Sequence, residues 1–537
     1  MPVTDRKKPV IFAAAAAGAV CLLVYLRTLS CGFINFDDPL YVLNNEAIRT
    51  LDGSMLAWAF SKSHAGFWMP LTWISLAVDY HFWELNPFGY HLTNIVLHAL
   101  NTGLVVLLAD RVLPGQWASG KSRNLNLAVL LLAGLLWGIH PLRVESVAWV
   151  TERKDVLNGL FALSSVLAYL RYARQRESGE PCRSAWLLSL GLFACSLLAK
   201  SVTVVLPVMF VVLDWYPLGR LRRSQWKRLL AEKAPFLLLA LAMSIVTVVV
   251  VADSNVLVSY DVFPLGQRIL VSGNAVFHYC RLLLLPVAIL PLYPFPDPLP
   301  FSFTLTTIAV VIATCGCLVA GRVRPWLTAV TLCFLLPLLP VLALFQNGDQ
   351  VMAARFTYLP SVAISIMAAA AIHHTAQKIE GLLQRSLLAG CAALLFFYIL
   401  TSVHLIGYWK DTGTFWSRMI ELKPIGRAYS DRGRFYLETG RVAEAVDDLT
   451  HAAEIATQVG MPEAFNLFAI RGEALAKLGR HEEAVRDFST AISFFPAPVY
   501  FYHRGLSLME LGRKREAEED LRQGDPESGP IKWYSAK

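Results

Sequence analysis

From Pro9 to Leu405 the sequence alternates long apolar runs with short polar breaks, a pattern that a water-soluble globular fold does not carry. Backbone amides inside a bilayer are satisfied only within helices or closed barrels, and an apolar run of about 20 residues crosses a ~30 Å hydrocarbon core as a helix. Composition agrees: 55% of residues are hydrophobic and only 16% charged, against about 25% charged in soluble chains. Past residue 409 the pattern changes to ordinary charged, amphipathic helix. The expected chain is all-α, with a polytopic membrane domain over 1–408 and a second helical domain over 409–537.

The net charge of +8 invites a nucleic-acid partner, but its placement points elsewhere. Arg171, Arg174, Arg176 and Arg183 share one short break, and Arg220, Arg222, Arg223, Lys227 and Arg228 share another. Membrane proteins keep such residues on the cytoplasmic side, so no nucleic acid is expected. Cys21, Cys195, Cys315, Cys317, Cys333 and Cys391 lie inside apolar runs, where a thiol behaves as a small hydrophobe.

The same charge rule orients the chain. The start, MPVTDRKK, is basic and precedes a run from Pro9 to Leu29. This run is long for the core of a cleaved leader, so it reads as a first span with the N-terminus inside. Residues 30–86 and His140 to Asp155 then fall outside, and loops with Arg111, Lys121 and Arg123 fall inside. Segments 184–199 and 201–216 form a hairpin out and back. Residues 268–292 bear Arg268, His278 and Arg281 and precede the loop PLYPFPDPLP, which lacks basic residues. They read as an interfacial or re-entrant element that starts and ends outside. About eleven spans result, with the C-terminal domain outside.

That domain repeats. Gly472, Leu475, Gly479, Ala484, Phe488, Ala491 and Pro496 match the small and large positions of a 34-residue helix–turn–helix unit. Flanking copies run through Gly433, Tyr436, Gly440, Ala445, Leu449 and Ala452, and through Gly505, Leu508, Gly512, Ala517 and Leu521, with an insertion near Gln458–Pro462. The expected domain is an α-solenoid of about three tetratricopeptide repeats, able to hold a peptide on its concave face. A purely structural cap is the plainer alternative.

Ionisable residues gather on one expected face. Asp37-Asp38-Pro39 follows the first span; one carboxylate could take a proton from a hydroxyl, or the pair could simply cap a turn opened by Pro39. His140, Arg143, Glu145, Glu152, Arg153, Lys154 and Asp155 crowd a second segment. Cations there could neutralise a phosphate, with acids orienting them, or the group could be a solvated salt-bridged loop. Arg355 and Tyr358 begin another span, as a second cation site or as an interfacial pair. His98 reads as a packed intramembrane polar group. Cys315-Gly-Cys317 and His373-His374 lack the further ligands a metal site needs. Asp37 and Asp38 could at most share a divalent ion.

The order of these motifs resembles the transmembrane and tetratricopeptide-repeat O-mannosyltransferases and their bacterial relatives, membrane enzymes of GT-C architecture. The carrying residues are Phe36-Asp37-Asp38, Gly89 to Asn94 with His98 and Asn101, His140-Pro141 through Glu145 to Asp155, Tyr293-Pro294, Arg355 to Pro360, Tyr408 to Asp411, and the repeats. The resemblance implies transfer of mannose or another hexose from a polyprenyl-phosphate carrier, a lipid-linked co-substrate, to a hydroxyl of an extracytoplasmic protein. It implies Asp37 as base beside Asp38, and Arg153 on the lipid phosphate, oriented by Glu145 or Asp155. Lys154, Arg143, His140, Arg355 and Tyr358 would complete the donor site. Ala354 departs from the pattern, since relatives often carry an acid there. The implied setting is a bacterial inner membrane with the site outside. A non-enzymatic repeat scaffold is the competing class. A transporter would want its ionisable groups at mid-membrane depth instead.

Overall fold

The structure is a computed structural model that describes residues 3–113, 123–222, 224–253, 259–296, 298–345, 350–459, 465–529 and 531. Lys121, Arg223, Asp297 and much of the Gln458–Pro462 insertion lie outside the described residues. Two compact units form. The first comprises Met1–Phe33 with Asp37–Lys410, and the second Ile34–Phe36 with Asp411–Lys537. The division falls two residues after 408, and Ile34–Phe36 belong with the C-terminal unit.

The first unit holds fifteen helices among the described residues: α1 Val3–Tyr25, α2 Gly53–Ser61, α3 Pro70–Trp83, α4 Pro87–Val112, α5 Arg123–Gly138, α6 Val144–Ala148, α7 Arg153–Glu177, α8 Arg183–Ala199, α9 Leu206–Trp215, α10 Trp226–Asp253, α11 Leu265–Leu284, α12 Ser302–Ala320, α13 Pro325–Leu338, α14 Ser361–Ala376 and α15 Gly381–Ile406. Six described helical segments are long and apolar enough to cross a membrane; Asn124–Gly138 and Pro141–Ala148, bent by 50° at their junction, form either a broken span or a re-entrant loop. Four shorter apolar helices cover Arg183–Ala199, Ser201–Trp215, Pro325–Val341 and Ser361–Ala376. The segment α11 is in neither group.

Local chemistry sets the ends that matter. Asn86 caps α4 by accepting the Phe88 amide at 3.1 Å, with Pro87 preset at the first helical position. Along α4, Asn94, His98 and Asn101 recur at helical spacing and are all buried. This polar stripe faces the bundle, not lipid. The bend after α5 comes where Pro141 opens a 3-10 turn. His140 caps that turn, accepting the Leu142 amide at 3.2 Å on Nδ1, while Nε2–H donates to the Leu283 carbonyl at 3.1 Å.

The segment from His140 to Asp155, expected as an outside loop, is instead folded and buried. A 3-10 turn, α6, a second 3-10 turn and the start of α7 follow in succession. Its charges can leave water because each meets an opposite charge or a hydrogen-bond partner inside the bundle. A second buried network ties the far ends of α7, α9 and α10. Asp214 accepts from Tyr169 at 2.7 Å and Arg220 at 2.8 Å, and pairs with Lys233.

The second unit comprises α16 Thr412–Leu422, then three antiparallel pairs: α17 Gly426–Glu438 with α18 Val442–Val459, α19 Phe465–Lys477 with α20 His481–Phe494, and α21 Pro498–Glu510 with α22 Lys514–Gln523. Asp411 closes a capping box on α16. The Asn35 amide donates to Thr412 Oγ1 at 2.8 Å, and Phe36 packs against Phe415 and Trp416. The three pairs repeat one set of contacts. A Cβ on Gly433, Gly472 or Gly505 would come within 2.9 Å of Leu449, Phe488 or Leu521, so only glycine lets the paired helices approach. Each pair also shares one ion pair across its helices: Arg432–Asp448 at 2.7 Å, Arg471–Asp487 at 2.6 Å and Arg504–Asp520 at 2.7 Å.

Candidate active site

The entry to α7 divides four consecutive charged residues, Glu152 to Asp155, between two groups, because successive helical residues turn by about 100°. Arg153 points away from the others and is fully enclosed between α3 and α4. It donates to Asn94 Oδ1 at 2.6 Å, Ser75 Oγ at 2.8 Å, the Tyr90 carbonyl at 2.8 Å and Asp79 at 2.6 Å. Asp79 is fixed in turn by the Thr93 hydroxyl at 2.8 Å.

Glu152, Lys154 and Asp155 join a different group. Lys154 lies 3.2 Å from Glu152, with its ammonium 4.5 Å from the centre of the Tyr41 ring. Lys200 arrives from the turn after α8, 2.5 Å from Asp155 and 3.6 Å from Glu152. Arg355, from the 3-10 turn Ala354–Thr357, places Nε 3.2 Å from Glu152. Its backbone amide donates to Glu145 at 3.0 Å, and its guanidinium also pairs with Glu145. Burial opposes the Arg355 charge, but Glu145 and then Glu152 outweigh it, so the guanidinium stays protonated beyond its ordinary range. Three cations and three carboxylates thus share a poorly solvated volume, where electrostatic contacts are strong.

Asp37 and Asp38 flank this group. Asp38 is buried, and its Oδ1 accepts from the Thr151 amide at 3.0 Å and hydroxyl at 2.5 Å. Asp37 is half-buried, and its carbonyl accepts from the Tyr41 amide at 3.1 Å. Burial first, then the Asp37 and Glu152 charges, raise the Tyr41 hydroxyl well above its ordinary value. Tyr41 therefore stays neutral and orients by its ring and O–H.

From the charged group runs a cavity of about 830 Å³. Asp155, Lys200 and Arg355 line it at this end. Its walls are Leu163, Val166, Met209, Val330, Ile366 and Met367 among others, contributed by α7, α9, α13 and α14. The lining follows α14 over its whole length, from Pro360 to Gln377, which at 1.5 Å per residue is about 24 Å. The site is thus a charged head joined to a long, largely apolar channel, with Arg324, His373, His374 and Gln377 lining its other end.

No family model matches the chain. Sequence relatives do. Protein O-mannosyl-transferase tmtc2 of Xenopus laevis is 31% identical over 219 residues, 39% of this chain and 24% of the relative. Protein O-mannosyl-transferase TMTC2 of Homo sapiens is 31% identical over 229 residues, 40% of this chain and 25% of the relative. Over that stretch the chain is similar to the protein O-mannosyl-transferases. The matched stretch is about a quarter of the length of these relatives. Among solved structures, the crystal structure of ArnT from Cupriavidus metallidurans bound to undecaprenyl phosphate overlaps loosely. Its TM-score is 0.38 at 15% identity, over 85% of this chain and 80% of that chain.

The residues expected from the sequence separate into two sets. Lys154, Glu145, Asp155 and Arg355 come together, and Asp37 and Asp38 lie beside them. Arg153, expected on the phosphate, is instead enclosed and paired with Asp79; Glu145 and Asp155 orient Arg355 and Lys200, not Arg153. His140 is spent on capping, with both ring nitrogens engaged. Arg143 is buried, bonded to Thr357 and stacked near Trp137 and Tyr358. The Tyr358 hydroxyl donates to His98 Nδ1 at 2.8 Å and accepts from Asn101 at 2.9 Å, so its ring, not its O–H, faces the cavity. Gly159 makes room for that ring, since a Cβ there would sit 2.7 Å from it. Beside Ala354, Arg355 is paired by Glu145 from α6.

Sequence reasoning missed Lys200 and gave Glu152 no role. Lys200 stood alone between two apolar runs; a single cation at the tip of an out-and-back hairpin, on the face of Asp37, was the available signal. No group of three or more His, Cys, Asp or Glu able to hold a metal forms among the described residues.

Proposed function

We propose that this protein is a membrane glycosyltransferase that moves a hexose, mannose in the first instance, from a polyprenyl-phosphate carrier to a hydroxyl of an extracytoplasmic protein. One observation carries the reading: a largely apolar cavity runs along α14 and has Lys200 and Arg355 at one end, the shape and chemistry of a long isoprenoid bearing a phosphate. The names of the relatives supply the transfer chemistry, and the Asp37–Asp38 pair beside the charged end supplies a base.

Lys200 and Arg355 would hold the phosphate and stabilise the charge it gains as it leaves. Asp37 would accept the proton of the acceptor hydroxyl. That oxygen bonds to the anomeric carbon as the carbon–phosphate-oxygen bond breaks, so the carrier departs as polyprenyl phosphate and the configuration inverts. Asp38, tied to Thr151, fixes the loop that carries Asp37. The C-terminal unit, taken as a tetratricopeptide solenoid, supplies a surface for an extended peptide. The membrane unit would sit in an inner membrane with its N-terminus in the cytoplasm and the charged head outside.

The test is transfer by purified protein from radiolabelled polyprenyl-phosphate mannose to a Ser/Thr peptide pool. Wild type should transfer, and Asp37→Asn should lose at least about 100-fold, the scale of a general base. Absence of transfer across several hexose donors, with Asp37→Asn still complementing a deletion strain, would favour the non-enzymatic scaffold.

A further inference from the structure

The three carboxylates of the charged group do not grip their cations alike. Glu145 takes Arg355 through both its backbone amide and its guanidinium. Asp155 holds Lys200 at 2.5 Å. Glu152 stands off at 3.2 Å from Lys154, 3.2 Å from Arg355 and 3.6 Å from Lys200. It is wholly buried beside the Asp155 carboxylate, and neither oxygen accepts a hydrogen bond of good geometry from the cations among the described residues. Lys200 and Arg355 line the cavity and Glu152 does not, so Glu152 lies behind the two cations that face a ligand.

A carboxylate so placed adds little to the fit of any one cation but cancels charge that all three would otherwise turn toward an anion. We infer that Glu152 is a positioning residue that holds Lys154, Lys200 and Arg355 together and weakens their hold on the carrier phosphate, so that the spent carrier is released. The inference rests on the reading of this cavity as the polyprenyl-phosphate site. Without Glu152 the three buried cations keep only Glu145 and Asp155 as counter-charges, a costly imbalance that a bound phosphate relieves. Removing the carboxylate should therefore tighten phosphate binding, the opposite of what damage to the fold would do.

The experiment compares undecaprenyl phosphate binding to full-length wild type and Glu152→Gln in detergent, with steady-state transfer measured alongside. Glu152→Gln should bind undecaprenyl phosphate at least about tenfold more tightly, equivalent to roughly 1.4 kcal/mol. Its kcat should fall through slow product release and its donor KM should fall with it. Glu152→Asp, which keeps the charge, should return affinity toward wild type, and adding Lys200→Met to Glu152→Gln should abolish the gain. Equal or weaker binding by Glu152→Gln would overturn the inference, as would no binding by either protein. If Glu152→Gln fails to fold, the inference stands only if Glu152→Asp folds and Lys200→Met in the wild-type background weakens binding; otherwise it falls. Tighter binding without transfer by wild type would uphold this anion site and overturn the glycosyl-transfer reading instead.

Discussion

Arg153 and Lys154 are neighbours in sequence and opposites in role. One is locked to Asp79, Asn94, Ser75 and Tyr90, and the other faces Tyr41 and Glu152. Arg153→Met should lower stability by about 3–5 kcal/mol, because it strands the buried Asp79 carboxylate. That loss would appear as an earlier thermal transition in detergent, with donor affinity unchanged in the folded fraction. Lys200→Met should behave in reverse, raising donor KM about tenfold or more, the worth of a charge-assisted contact to phosphate, while leaving Asp155 partly served by Ser146. An unchanged KM for Lys200→Met would contradict the placement of the phosphate. The chemistry of the site was legible in its residue types: Asp37, Asp38 and the run from Glu145 to Asp155 are where the charges gather. Their pairing was not legible. A helix turns each neighbour to a new face, and the partners Asp79, Lys200 and Arg355 come from distant segments that only the fold brings near.

At the scale of elements, the C-terminal pairs show what spacing conveys and what it hides. Gly433, Gly472 and Gly505 recur visibly because close helix approach demands glycine at the same place in each pair. The Arg–Asp ion pairs recur just as regularly, sixteen residues apart, but that offset crosses a turn and matches no helical period. Gly472→Val should cost the α19–α20 pair about 1–3 kcal/mol by overpacking against Phe488. Hydrogen exchange on the full chain should show faster exchange of α19 and α20 amides, with α4 and α7 unaffected. Uniform protection in the variant would mean that Phe488 can move aside freely. In the first unit, the helices follow the apolar runs closely, whereas the buried fold of His140–Asp155 escaped the sequence. A dense charge run reads as solvated until its partners are known.

For the membrane unit as a whole, the cavity is the feature that joins helices to chemistry. It needs α7, α9, α13 and α14 to stand apart at one side while ion pairs close the head, and the Asp214 network fixes α7, α9 and α10 at the far end. Ala370 lines the cavity toward the end of α14. Ala370→Trp should obstruct the channel and raise the KM of long-chain donors about tenfold, with a smaller effect on short-chain analogues, as measured across a donor length series; an equal effect at all lengths would place the chain elsewhere. The most direct test of the account is photo-crosslinking of full-length protein with a polyprenyl-phosphate analogue bearing a photoreactive group mid-chain, followed by peptide mapping. Label is expected on cavity-lining residues such as Met209, Ile366 and Met367, suppressed by excess undecaprenyl phosphate and weakened in Lys200→Met. Label confined to outward-facing residues of α12 and α15, unaffected by competitor, would contradict it.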